Sequence, residues 1–141
     1  MIKRIKQNNN IRVINLKKLN NFKGKIIKII KSTDKFFNTF GELYISELKP
    51  NQIKAWRYHK QSTQNIFLVS GKCKLVYLNR KKFKKIILSD KSPKLIIISK
   101  KTWYGYQNLS KNISIILNLS SKKYLESEIL RKEKIEMNYK W

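Results

Sequence analysis

The chain has 141 residues, a single cysteine and a formal net charge of +25. Its length fits one domain, and with 41% hydrophobic and 11% aromatic residues that domain can bury a core without disulfides or metal, so disorder is not expected. Lone Cys73 excludes a disulfide-rich secreted scaffold, no stretch approaches the roughly 20 apolar residues of a membrane span, and the polar, basic start Met1 to Asn10 has no signal-peptide core, so a cytoplasmic location is expected.

Short β-rich runs recur along the chain, separated by polar or turn residues. Ile11 to Leu16 alternates loosely, and Ile26 to Ile30 is apolar around Lys28. Glu42 to Leu48 follows Gly41 and stops before Pro50; Ile53 to Tyr58 comes next. Asn65 to Val69 is closed by Ser70-Gly71 and followed at once by Cys73 to Leu78, which reads as a hairpin. Lys85 to Leu88, Leu95 to Ile98, Trp103 to Gln107 and Ile113 to Leu119 complete the set. Many short strands at roughly ten-residue spacing predict an all-β sandwich or barrel. Beyond them, Tyr124 to Met137 carries Leu125, Ile129 and Leu130 at helical spacing, which predicts a short helix or irregular tail. Tyr139 and Trp141 are large aromatics that should dock on the domain. No repeat and no Pro/Gly-rich linker divides the chain, so residues 1–141 read as one domain, with a core at about 24–120 and a tail at 121–141.

The one histidine, His59, lies in Ile53-Lys54-Ala55-Trp56-Arg57-Tyr58-His59-Lys60. Alternation on a strand puts Arg57 and His59 on one face and Trp56 and Tyr58 on the other. If the first face lines a barrel lumen, Arg57, His59 and Gln64 can converge there with Trp103 or Tyr104. A basic, aromatic-lined pocket of that kind suits an anionic ligand that bears a ring. A lone strand histidine is commonly a satisfied structural residue, so its position alone leaves both roles open. One histidine, one distant cysteine and few carboxylates do not make a metal site, and none is expected.

Three stretches in order, Ala55-Trp56-Arg57-Tyr58-His59-Lys60, Thr63-Gln64-Asn65 and Val69-Ser70-Gly71-Lys72, resemble the cupin motif of two related enzyme groups. These are the dTDP-4-dehydrorhamnose 3,5-epimerases and the dTDP-sugar 3,4-ketoisomerases. Gly41-Glu42-Leu43-Tyr44, Leu95 to Ile98 before Trp103-Tyr104-Gly105-Tyr106, the run from Asn108 to Asn118 and the ending from Ile135 to Trp141 continue the resemblance, which covers roughly residues 24 to 141. It implies a jelly-roll barrel of the double-stranded β-helix type, a homodimer, and a nucleotide-linked 4-keto sugar bound in the lumen. The implied chemistry is proton abstraction beside the ketone, with no metal or organic cofactor, because the 4-keto group itself acidifies its neighbours. The sequence departs from the pattern at the chemistry. The first histidine of the His-x-His pair falls on Arg57, and arginine stays protonated; the second is kept as His59. The epimerase tyrosine falls near Leu117, the epimerase lysine near Gln64, and a later histidine on Tyr104.

This reading makes His59 the base, Tyr104 the acid, and Arg57, Gln64 and Trp103 the substrate-binding residues of an epimerase or isomerase serving surface-polysaccharide synthesis. The replaced residues keep open a non-catalytic sugar-nucleotide or glycan-binding cupin. The charge invites a third reading, nucleic acid. It is not favoured, because the cations are 28 Lys and only 5 Arg, spread over the whole chain. With abundant Ile and Asn, that is the composition an AT-rich genome imposes, and phosphate and guanine readers favour arginine.

Overall fold

A computed structural model describes residues 10–141. Two antiparallel five-stranded sheets face one another. The first has the order β1 (Ile11–Asn15), β9 (Lys94–Ile98), β6 (Gln64–Ser70), β11 (Ser114–Ser120), β4 (Glu42–Leu48). The second runs β12 (Ile129–Arg131), β5 (Ile53–His59), β10 (Tyr104–Asn108), β7 (Lys72–Asn79), β8 (Lys82–Ser89). A hairpin of β2 (Lys18–Asn21) and β3 (Gly24–Ile27) pairs only with itself. This is the all-β, cupin-like jelly roll that the strand spacing and the resemblance anticipate.

The alternation of each strand supplies the core between the sheets. Ile66, Leu68, Ile96, Ile98 and Ile116 from the first sheet meet Cys73, Leu75, Leu88 and Tyr104 from the second. On β11 the inward set is Ser114, Ile116, Asn118 and Ser120, all buried, while Ile115, Leu117 and Leu119 are half-buried on the outer face. From Ile116 to Ser120 the interior therefore changes from apolar to polar, and this polar end opens into the cleft described below. Leu117 lies on the outward side of this strand and so takes no part in the lumen.

Two expectations are corrected, and a third, open between two forms, is decided. Ser70-Gly71 does not close a hairpin: β6 pairs with β9 and β11, whereas β7 pairs with β10 and β8. The chain passes from one sheet to the other at Gly71, which sits at φ +107° with its Cα hydrogens against Ser114; a Cβ there would lie 2.1 Å from Ser114 Oγ. The apolar faces of β6 and β7 then meet across the core instead of lying side by side. After Tyr124, of the short helix and the irregular tail, it is the irregular tail that forms. Only a 3-10 turn, Glu126–Glu128, precedes β12. Leu125 and Leu130 are exposed, so their helical spacing marks no buried face, and the segment instead closes the open edge of β5. Finally, regular structure starts before residue 24, because β1 pairs along β9.

Gly41 joins β4 to the rim of the cleft. Its N–H donates to Ser120 O at 2.9 Å, and a Cβ on it would lie 2.3 Å from the backbone of Lys122. Gly41→Ala must push that backbone away. We expect a loss of about 1–3 kcal/mol in urea unfolding, and weaker ligand binding through displaced Lys122.

Candidate active site

The cleft opens between the two sheets and encloses about 250 Å³. Arg57 and His59 reach it from β5, Gln64 from β6, Tyr44 from β4, Lys122 and Lys123 from the segment after β11, and Glu128 and Arg131 from the 3-10 turn and β12. Trp56 and Tyr58 lie on the other side of β5, against Tyr139, Trp141 and Trp103.

His59 is 6% exposed and fully engaged. Its Nδ1 lies 3.2 Å from Glu128 Oε2 and 3.2 Å from Ser62 Oγ, and its Nε2 lies 3.0 Å from the Tyr104 hydroxyl. Glu128 is 7% exposed, and its Oε1 accepts the backbone N–H of Gln61 and of Ser62 and the Ser62 hydroxyl, at 2.9, 2.8 and 2.9 Å. Ser62 Oγ in turn accepts from Gln64 Nε2 at 2.9 Å. A carboxylate can only accept, so the imidazole carries its proton on Nδ1 and leaves Nε2 as the acceptor. Burial lowers the His59 pKa; the hydrogen bond and charge of Glu128 oppose this, Arg57 and Arg131 add to it, and the net shift is downward. The imidazole is therefore neutral at neutral pH. Burial raises the Glu128 carboxyl, but the N–H groups of Gln61 and Ser62 and the bonds from His59 and Ser62 outweigh it, and its pKa falls. Burial, first of all, raises Tyr104 well above an ordinary phenol, so it stays protonated and donates to Nε2.

Four cations, Arg57, Lys122, Lys123 and Arg131, line the same cleft. Arg57 and Arg131 are direct partners across the β5–β12 pair, a like-charge placement that the ion pair of Arg131 with Glu126 offsets in part. Tyr44 stands across the cleft. Its hydroxyl accepts from Asn118 Nδ2 at 2.7 Å, so its own proton is free to be donated. Burial raises its pKa, with Arg57 acting against this. Gln64 is 1% exposed; its Nε2 is held by Ser62 and Ser120, while its Oε1 has no protein partner.

Residues 9–140 match the family described as FdtA, WxcM-like, C-terminal. The chain belongs to this family. No curated protein matches its sequence. Among solved structures it is similar to a dTDP sugar isomerase from Desulfovibrio desulfuricans G20, with 20% identity over 93% of this chain and 90% of that one and a TM-score of 0.86. A 3,4-ketoisomerase from Helicobacter canadensis gives 24% identity, 86% and 90% coverage, and a TM-score of 0.76. A dTDP-4-dehydrorhamnose 3,5-epimerase from Sulfolobus tokodaii gives 16%, 92% and 81%, and 0.81. At these identities the likeness carries the fold, and the chemistry has to be argued from the residues in the cleft.

Of the residues singled out in the sequence of this family member, Arg57, His59 and Gln64 line one cleft. Tyr104 stands behind His59, in a smaller space shared with Tyr44, Arg57 and Asn118. Trp103 is a correction: it packs on Tyr58 at 5.1 Å, with Lys132 Nζ 5.0 Å above its ring, on the outer side of the sheet. Successive residues of an extended segment face opposite ways, so Trp103 and Tyr104 could not both enter the lumen. Sequence reasoning missed Glu128, Tyr44, Ser62 and the cations after β11. Scarcity was the available signal for Glu128, one of only 8 acidic residues in the chain. Among the described residues no three His, Cys, Asp or Glu side chains gather to hold a metal ion, and no helix is long and apolar enough to cross a membrane.

Proposed function

We propose that this protein isomerises a nucleotide-linked 4-keto-6-deoxyhexose, as a cytoplasmic homodimer serving polysaccharide synthesis, with dTDP-4-keto-6-deoxyglucose as its substrate. The observation that carries the reading is the buried, neutral, tautomer-fixed His59 beside four cations in one cleft. A carbon acid next to a ketone needs a base of this kind and a positive or proton-donating group at the enolate oxygen. The cations suit the diphosphate, and the similar structures, which are those of a dTDP sugar isomerase and a dTDP-4-dehydrorhamnose 3,5-epimerase, agree with this assignment.

On binding, His59 Nε2 exchanges the Tyr104 hydroxyl for the hydrogen on the carbon beside the ketone. The C–H electrons move into the enolate and the proton moves to Nε2, while the Tyr104 hydroxyl rotates its own proton away so that its oxygen accepts the new N–H. Glu128 stabilises the imidazolium through Nδ1–H. Arg57 sits at the enolate oxygen, and Tyr44 supplies the proton for the opposite side of the sugar. Gln64, bonded through Nε2 to Ser62 and Ser120, holds the floor of the cleft under the sugar. Tyr104 serves here as the partner that holds His59 in place, and the acid role falls to Tyr44, which lines the cleft.

Incubation with dTDP-4-keto-6-deoxyglucose in deuterated water tests the proposal. Deuterium at an inverted C3 or C5 with the ketone still at C4 identifies epimerisation, and a ketone at C3 with deuterium at C4 identifies 3,4-isomerisation. If neither product forms, the enzyme reading falls for this substrate. Calorimetric binding without turnover would then support the binding-only reading, which the arginine at position 57 favours. Arg57→Ala is expected to weaken binding of the dTDP-sugar by about 10- to 100-fold, the loss of one charge-assisted contact. Lys85→Ala, on the far strand β8, should leave binding unchanged.

A further inference from the structure

The outer face of the second sheet carries a cluster that the proposed chemistry does not use. Trp56 is 1% exposed, and its ring lies 5.5 Å from Phe83, 6.0 Å from Tyr139 and 5.0 Å from Trp141. Tyr139 and Trp141 also pack edge-on at 5.0 Å, and Lys74 Nζ caps both rings at 5.5 and 5.4 Å. The segment after β12 is thus tied to β5 through one residue. Trp56 and Lys132 exchange both backbone hydrogen bonds, at 2.6 and 3.1 Å, and Trp56 Nε1 donates to Lys134 O at 3.4 Å.

Directly upstream of this tie lies β12, which is only three residues long and sits at the sheet edge. Its pairing with β5 runs Ile129↔His59, Leu130↔Tyr58, Arg131↔Arg57. Glu128 immediately precedes it, so the register of this short ladder decides where the carboxylate stands. The three pairs are extended in the same register by Lys60 N–H donating to Glu128 O at 2.9 Å and by the Trp56–Lys132 exchange, so the clamp on Trp56 holds the downstream end of a short edge ladder. A slip of two residues would carry Glu128 about 6.5 Å along the strand, beyond bonding distance of His59. A slip of one residue would turn the side chains of β12 to the opposite face.

We propose that Tyr139 and Trp141, clamped on Trp56, are positioning residues for the base: they fix the register of β12 and so hold Glu128 against His59. The geometric claim stands by itself; its meaning for turnover rests on His59 being the base.

His59 is the only histidine in the chain, so its ring resonances titrate alone in NMR. The charged and titratable groups facing it are Glu128, Tyr104, Arg57 and Arg131. Glu128→Gln is expected to lower the titration midpoint of His59 by about half a pH unit or more, since it removes the charge that raises that midpoint. Trp141→Ala should move it in the same direction, Trp141→Phe should leave it near wild type, and Trp141→Ala added to Glu128→Gln should produce no further shift. A purely structural cluster would lower the melting temperature in Trp141→Ala yet leave the histidine titration in place, and that result overturns the proposal. So does a Glu128→Gln variant whose histidine titrates as wild type. Should Trp141→Ala fail to fold, Tyr139→Leu is read in the same way. The titration needs no substrate, so a shift without any turnover would remove the isomerase reading and leave the register lock standing.

Discussion

Asparagine in place of His59 is expected to lower kcat for the 4-keto sugar by roughly 10²–10⁴, the range for loss of a general base, while nucleotide-sugar binding stays within a few-fold. The introduced side-chain amide can still donate toward Glu128, so the cleft keeps its shape, and the four cations that would hold the diphosphate are untouched. What disappears is the Nε2 acceptor. The pH dependence of the wild type follows from the same geometry. Burial lowers the His59 pKa below the ordinary 6.5 and Glu128 only partly restores it, so the free base is already formed at neutrality. The acid limb of kcat/KM should therefore lie below pH 6.5, with rate rising as pH increases through it and flat above. Turnover of His59→Asn near the wild-type rate, or an acid limb well above 6.5, would remove His59 from the base role.

The architecture was legible in the sequence because β alternation is a local signal. Runs such as Leu95 to Ile98 and Ile113 to Leu119, bounded by polar residues, name their strands without knowledge of their partners. The two faces of β5 were legible for the same reason: Arg57 and His59 go to one side, Trp56 and Tyr58 to the other. What was not legible depends on pairing between distant segments. Gly71 reads locally like a hairpin turn, and only the partners of β6 and β7 show that it crosses between sheets. Trp103 and Tyr104 both look like pocket residues until the phase of β10 selects Tyr104 for the interior. Glu128 was hidden most deeply. It sits in a charged stretch whose apolar residues mimic a helix, and it reaches His59, 69 positions away, only because β12 completes the edge of β5. Tyr44 was quoted in the resemblance, but its task depends on Asn118, 74 residues on, occupying its oxygen and leaving its proton free.

Removal of the Glu128 side chain has the largest expected effect on stability. Alanine there leaves His59 Nδ1–H, the Ser62 hydroxyl and the N–H groups of Gln61 and Ser62 without their acceptor. Each buried donor left without its acceptor costs about 1 kcal/mol or more, so a total loss of about 3–5 kcal/mol is expected, although the open cleft lets water recover part of it. Glu128→Gln separates the two roles of the carboxylate. Its amide oxygen can still serve the backbone N–H groups, so about 1 kcal/mol is expected to be lost. Its NH₂, facing Nδ1, instead asks the imidazole to accept there, which moves the ring proton to Nε2 and abolishes the base. Glu128→Gln should accordingly fold nearly as well as the wild type and turn over as poorly as His59→Asn. The wild type should be acid-labile in two stages with one sign. Below pH 6.5 the unfolded chain takes up a proton at His59 that the folded protein resists, and below 4.5 it takes up another at Glu128, whose folded pKa is depressed; stability falls with pH through both. Glu128→Ala should lose the lower stage. Urea midpoints for the three proteins between about pH 7 and 3, a window reaching below the onset of both stages, check all of this, and an alanine variant within about 0.5 kcal/mol of wild type would mean that the carboxylate is not the buried anchor of the site.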